Sequence, residues 1–65
     1  MHGDVANINN NIGATYNKLG MFNEALKCYY DSLNIRKQLF GKQSRSVAYS
    51  LNNIAATYNK LGKFD

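Results

Sequence analysis

Two stretches of the chain are nearly the same. Residues 5–22 read VANINNNIGATYNKLGMF, and residues 47–64 read VAYSLNNIAATYNKLGKF. The two stretches are offset by 42 residues, and 13 of their 18 positions are identical. Chance does not produce this self-similarity in so short a chain, so we predict a repeat protein. The chain 1–65 is then a single fragment, with one full repeat over residues 5–46 and the first helix of a second repeat over residues 47–65.

Each copy carries the rhythm of an amphipathic helix, because its apolar residues recur every three or four positions. These residues are Ile8, Ile12, Tyr16 and Leu19 in the first copy and Leu51, Ile54, Tyr58 and Leu61 in the second. Gly20 and Gly62 follow the two segments, at the place where a helix end favours a left-handed residue. Asp4 is a candidate N-cap for the first helix.

A second helix is predicted between the two copies. Asn23 is its candidate N-cap, and Gly41 ends it. Residues 43–46 are a polar connector, in which Ser44 or Ser46 can cap the third helix. The apolar stripe of the second helix consists of Ala25, Leu26, Tyr29, Leu33, Leu39 and Phe40.

The fold class is therefore all-α. We predict three helices over about residues 5–18, 23–40 and 46–60. The short turns between them require antiparallel neighbours, as in a helix-turn-helix repeat.

The composition limits the function classes. The formal net charge is +4, which mildly favours acidic partners. The single cysteine, Cys28, cannot form an intrachain disulfide and indicates a reducing, cytoplasmic setting. The first residues do not resemble a signal peptide, and no apolar run is long enough to span a membrane.

Catalytic and cofactor signals are missing from the sequence. The four acidic residues show no catalytic spacing, and no glycine-rich phosphate loop is present. His2 and Cys28 form no ligand or nucleophile pattern, so we predict no enzyme activity, no metal and no cofactor. The five tyrosines occupy helix-packing positions for the most part, which argues against nucleic-acid binding by base stacking.

The spacing resembles that of the tetratricopeptide repeat, whose pattern is matched by Ile12-Gly13, Tyr16, Gly20, Phe22, Ala25 and Tyr29. The resemblance implies that a small residue at Gly13 or Ala55 lets the helices approach closely, with Tyr16 or Tyr58 filling the gap beside it. The period of 42 residues also lies in the range of HEAT and armadillo repeats. Those repeats lack the glycine-plus-aromatic turn found twice here.

The longer period is similar to that of the kinesin light chains and their relatives. The matching positions are Gly20 to Ala25, Tyr29-Tyr30, Ser32-Leu33, Ile35-Arg36, Phe40-Gly41, Val47-Ala48 and Leu51 to Ala55. Three departures stand out. Ser44-Arg45 replace the usual His-Pro, Ser32 replaces a small alanine, and Asn9 stands where the second copy has Leu51. The polar Asn9 predicts a first helix that is less buried on that side.

The resemblance implies a concave groove that is lined by the first helix of each repeat and holds extended peptides. Its candidate residues in the first copy are Asn7, Asn10, Asn11, Ala14, Asn17 and Lys18. In the second copy they are Tyr49, Asn52, Asn53, Ala56, Asn59 and Lys60. In related repeats, paired asparagines and basic residues contact cargo peptides. The alternative is that these asparagines bridge neighbouring helices or face water.

We also expect the chain to be an excised or engineered piece of an array, because a fourth helix is expected to cover the third. The face left open consists of Leu51, Ile54, Ala55, Tyr58, Leu61 and Phe64. We predict that copies self-associate through it, either by end stacking or by swapping the third helix across the proline-free connector 41–46. The principal function is then protein or peptide binding. The alternative is a structural, self-assembling repeat fragment that has no ligand.

Overall fold

The computed structural model describes the backbone of residues 2–62 and the side chains of residues 4–62. Three α-helices follow one another: α1 (His2–Lys18), α2 (Phe22–Phe40) and α3 (Arg45–Leu61). The predicted all-α fold is confirmed, and the helix bounds agree with the sequence to within three residues. α2 packs against both other helices.

The helix ends follow local chemistry. Gly20 and Gly62 have φ values of 80° and 77°, which a residue with a Cβ rarely adopts. Ser44 is the N-cap of α3, and its hydroxyl accepts a hydrogen bond from the Val47 N–H at 3.2 Å. Both glycine stops and the Ser44 cap are therefore confirmed.

Two other predicted caps are wrong. α1 already includes His2, so Asp4 lies inside its first turn, where an acidic side chain still suits the helix dipole. α2 begins one residue before Asn23, and its N-cap position is occupied by Met21 with no side-chain hydrogen bond. The local polarity of a residue is thus not sufficient to place a helix start.

The core is centred on one side of α2. Its buried residues are Ala25, Leu26, Tyr29 and Leu33 of α2 with Val47 and Ile54 of α3. Tyr16, Tyr58 and Leu61 pack against this core while staying half-buried. Leu39 and Phe40, which we predicted to continue the stripe of α2, are exposed.

The contact between α1 and α2 is made possible by Gly13. A Cβ at Gly13 would lie 2.8 Å from Cε1 of Tyr29 and 3.2 Å from the Ala25 carbonyl oxygen. The predicted close approach is confirmed, but the ring that fills the space belongs to Tyr29 rather than to Tyr16. The matching residue of the second copy, Ala55, is exposed.

The predicted apolar stripe of α1 is confirmed only at Tyr16, which packs against the core, and is wrong at its other three residues. Ile8 and Ile12 are 56% and 42% exposed, and Leu19 is exposed as well. α1 instead buries Ala6 and Gly13 on its inner side. The reason is steric, because small residues on α1 allow the large side chains of α2 to approach, and the isoleucines lie on a different face of the helix.

Candidate functional site

α1 and α3 are joined by side-chain amides and a hydroxyl. The Nδ2 of Asn53 donates to the Oδ1 of Asn10 at 3.0 Å, and the Nδ2 of Asn17 donates to the Oγ1 of Thr57 at 3.4 Å. We call these four residues the polar seam. Since each pair joins α1 to α3, the seam holds the two helices side by side.

Burial makes the polar seam specific for one alignment of α1 with α3. Asn10 and Thr57 are buried, and Thr57 also donates its own proton to the Asn53 carbonyl oxygen at 2.9 Å. Burying an amide without a partner costs free energy, so the paired positions favour one alignment of the helices. The Oδ1 of Asn17 is buried and has no partner among the described residues.

The polar seam divides the predicted peptide-binding residues into two groups. Asn10, Asn17 and Asn53 bridge the helices, which is the alternative that the sequence left open. The exposed members are Asn7, Asn11, Lys18, Tyr49, Asn52, Asn59 and Lys60. Only this second group has side chains free to meet a ligand without opening the seam.

A cluster around Arg36 was not predicted. Its Nη1 donates to the Oγ of Ser50 at 2.7 Å, and its Nη2 donates to the Oδ1 of Asn7 at 3.0 Å. The guanidinium carbon lies 5.4 Å from the centre of the Tyr49 ring, within the range of a cation–π contact. We call these four residues the arginine cluster. A signal existed in the sequence, since Asn7 and Tyr49 occupy the same repeat position.

Apolar side chains are exposed on the outer helices. We call Val5, Ile8 and Ile12 of α1, with Leu19 of the turn that follows it, the α1 outer face. Of the predicted self-association residues on α3, Leu51 and Ala55 are exposed, and we call them the α3 outer face. Ile54 is buried against α2 and is therefore not part of an open surface, whereas Tyr58 and Leu61 are half-buried. Phe64 lies outside the described residues.

One comparison with known proteins gives a match. A family profile described as Tetratricopeptide repeat matches residues 4–65. The chain belongs to the tetratricopeptide repeat family. No curated protein and no solved structure gives a significant match. The tetratricopeptide repeat is a non-catalytic protein-interaction fold, so the coarse function is that of a protein-interaction module.

The one cysteine of this tetratricopeptide protein lies on α2 and is half-buried. Burial, and then the nearby Asp31, raise the pKa of the Cys28 thiol, while Lys27 lowers it less strongly. The raised pKa disfavours the thiolate, which is the nucleophilic form of cysteine. Within the described part of the chain, no group of three potential metal ligands occurs, and no helix is long and apolar enough to cross a membrane.

Proposed function

We propose that this tetratricopeptide protein binds an extended peptide segment across the exposed faces of α1 and α3. The supporting observation is the polar seam, because it uses some asparagines to hold the two helices together and leaves others, such as Asn11 and Asn52, outside any described side-chain hydrogen bond. Asn7, Asn11 and Lys18 share one face of α1, since their spacing follows the helical repeat. The exposed candidates on α3 include Asn52, Asn59 and Lys60.

The chemistry of these side chains suits a peptide ligand. An asparagine amide both donates and accepts hydrogen bonds, so it can pair with a peptide backbone of any sequence. Lys18 and Lys60 lie in the last turns of α1 and α3 and attract acidic groups. Together with the net charge of +4, they favour an acidic peptide. The 42-residue period supports a likeness to the repeats of kinesin light chains. The single cysteine supports a cytoplasmic location.

Peptide binding can be tested with two matched double variants. Peptides that bind the wild type are first selected from a random array. We expect the double variant Asn52→Ala with Lys60→Ala to bind them about tenfold more weakly, because two central contacts are lost. Asn34→Ala with Lys37→Ala removes the same side chains from exposed positions of α2 and should change the affinity by less than about twofold. Fluorescence anisotropy measures both. If the array yields no binding peptide, or if the two double variants behave alike, the proposed groove is wrong.

A second proposed function is self-association through the α1 and α3 outer faces. Val5 and Ile12 of the α1 outer face match Val47 and Ile54 of α3, which are buried against α2. The residues of the α1 outer face are thus of the type that packs against a helix. Large exposed apolar patches commonly mark interaction surfaces. Two copies can cover them by stacking, and exchange of α3 across the connector 41–44 is an alternative route to a dimer.

We expect the wild-type mass in sedimentation equilibrium to rise above that of a monomer as the concentration increases. Ile8→Glu and Leu51→Glu each place a charge on an outer face and should hold the chain as a monomer, because a buried unpaired charge is costly. Leu39→Glu, at an exposed leucine of α2, is the control and should associate like the wild type. A monomeric mass at high concentration together with cooperative unfolding would show that the outer faces do not associate.

A further inference from the structure

Tyr30 of α2 and Tyr58 of α3 meet through their phenol groups. Their hydroxyl oxygens are 3.2 Å apart and share a hydrogen bond, although the residues are 28 positions apart in the chain. Tyr30 is 40% exposed, and Tyr58 is half-buried against the core. We call these two residues the tyrosine pair. Because their contact lies at the surface between α2 and α3, a reagent in solution can reach it.

The other three tyrosines have different surroundings. Tyr29 is buried in the core, Tyr16 packs against the core, and the ring of Tyr49 lies beneath a guanidinium group. Among the side chains that the structure describes, only the tyrosine pair brings two phenol oxygens into contact. Chemistry that needs two phenols side by side is therefore directed to one place in this chain.

We propose that the tyrosine pair is a site of oxidative cross-linking, where a haem peroxidase with hydrogen peroxide joins the two rings by a carbon–carbon bond. Each phenol loses one electron and its hydroxyl proton, and the two radicals couple at the ring carbons next to the carbons that bear oxygen. The hydrogens on the coupled carbons then move to the oxygens and restore both phenols. The two electrons and two protons that leave reduce one hydrogen peroxide to two waters.

The geometry favours coupling within one chain. The reacting carbons are direct neighbours of the carbons that carry the touching hydroxyls, so a small rotation of the exposed Tyr30 ring can bring them together. Exposed side chains make such rotations in picoseconds to nanoseconds. Two reactants that the fold holds side by side react far more readily than two that must meet by diffusion. Coupling within the pair should thus exceed coupling between chains in dilute solution.

The cross-link would act on the fold as a covalent lock. It joins α2 to α3 and closes a loop that contains the connector 41–44. A closed loop leaves the unfolded chain fewer conformations, so the folded state becomes more stable. The bond also keeps α3 on the α2 of its own chain, which opposes the exchange of α3 between copies.

The test oxidises the protein with a haem peroxidase and hydrogen peroxide at a concentration where it is monomeric. Dityrosine fluorescence is then measured in the monomer band of a denaturing gel. We expect Tyr30→Phe and Tyr58→Phe each to lower this fluorescence at least about tenfold, since each keeps the ring but removes a coupling phenol. Tyr49→Phe removes a phenol that is 54% exposed on α3 and is the matched control. It should change the yield by less than about twofold.

Two further measurements complete the test. Mass spectrometry of the digested wild type locates the bond directly, so the result does not depend on how the variants fold. The cross-linked wild type should melt at least about 5 °C higher than the untreated protein. Monomer fluorescence that persists in Tyr30→Phe, or that falls equally in Tyr49→Phe, would overturn the proposal. A bond found only between two chains would also overturn it and would instead support the exchange of α3.

Discussion

Gly13→Val is expected to destabilise the fold by about 3 kcal/mol, at the upper end of what overpacking a core costs. The new Cβ would lie 2.8 Å and 2.9 Å from Cε1 and Cδ1 of Tyr29, closer than real Cβ atoms approach. The ring cannot swing away because Tyr29 is buried, and the Ala25 carbonyl at 3.2 Å closes the other side. The two methyl groups of valine add to this crowding.

The sign of the change in the free energy of unfolding separates the effect of packing from that of helix propensity. Valine is a better helix former than glycine by about 0.4 kcal/mol, so propensity alone would make Gly13→Val slightly stabilising. Ala55→Val is the control, since it puts valine at the same repeat position on the exposed side of α3. It should cost less than about 1 kcal/mol. Urea unfolding followed by circular dichroism measures both, and equal losses would mean that α1 does not pack against Tyr29 as described.

Leu33→Ala is expected to cost about 2–5 kcal/mol, because it removes buried methyl groups and leaves a cavity in the core. Leu33 is buried among Tyr29, Val47 and the other core residues of α2 and α3. Net stabilities of small domains are only about 5–15 kcal/mol, and small chains lie at the low end. The variant should therefore lose most of its helical signal at moderate urea concentrations.

Leu39→Ala is the matched control for this prediction. It makes the same substitution in the same helix, at a residue that is exposed. We expect a loss below about 1 kcal/mol, which is usual for surface positions. If Leu39→Ala proved as damaging as Leu33→Ala, the apolar stripe predicted from the sequence would be right and the exposed position of Leu39 wrong.

The polar seam connects stability to the proposed function. Asn10 and Asn53 form part of the fold, so replacing either one would disturb the groove together with any contact that it makes with a ligand. The exposed Asn52 and Asn59 can be replaced without breaking a described hydrogen bond. Variants at the exposed amides therefore report on binding, whereas variants at the seam report first on the alignment of α1 with α3.

The sequence by itself determined the number of helices, their approximate ends and the family. These features depend on local chemistry: a glycine with positive φ at Gly20 and Gly62, a hydroxyl cap at Ser44, and the repetition of residues 5–22 as 47–64. The close approach at Gly13 was also predictable, because only a small residue fits there. The contacts of Arg36 were not predicted, because its partners lie on the two other helices, α1 and α3, and only the fold brings them together.

Only the tertiary structure decided which apolar residues are buried. Val5 and Val47 are the same residue at the same repeat position, yet Val5 is 46% exposed and Val47 is 2% exposed. Likewise, Ile12 is exposed whereas its repeat counterpart Ile54 is buried. The physical reason is that α3 packs these residues against the preceding α2, whereas α1 has no such helix before it within the described residues. Periodicity shows that a face can pack, but the presence of a neighbouring helix decides whether it does.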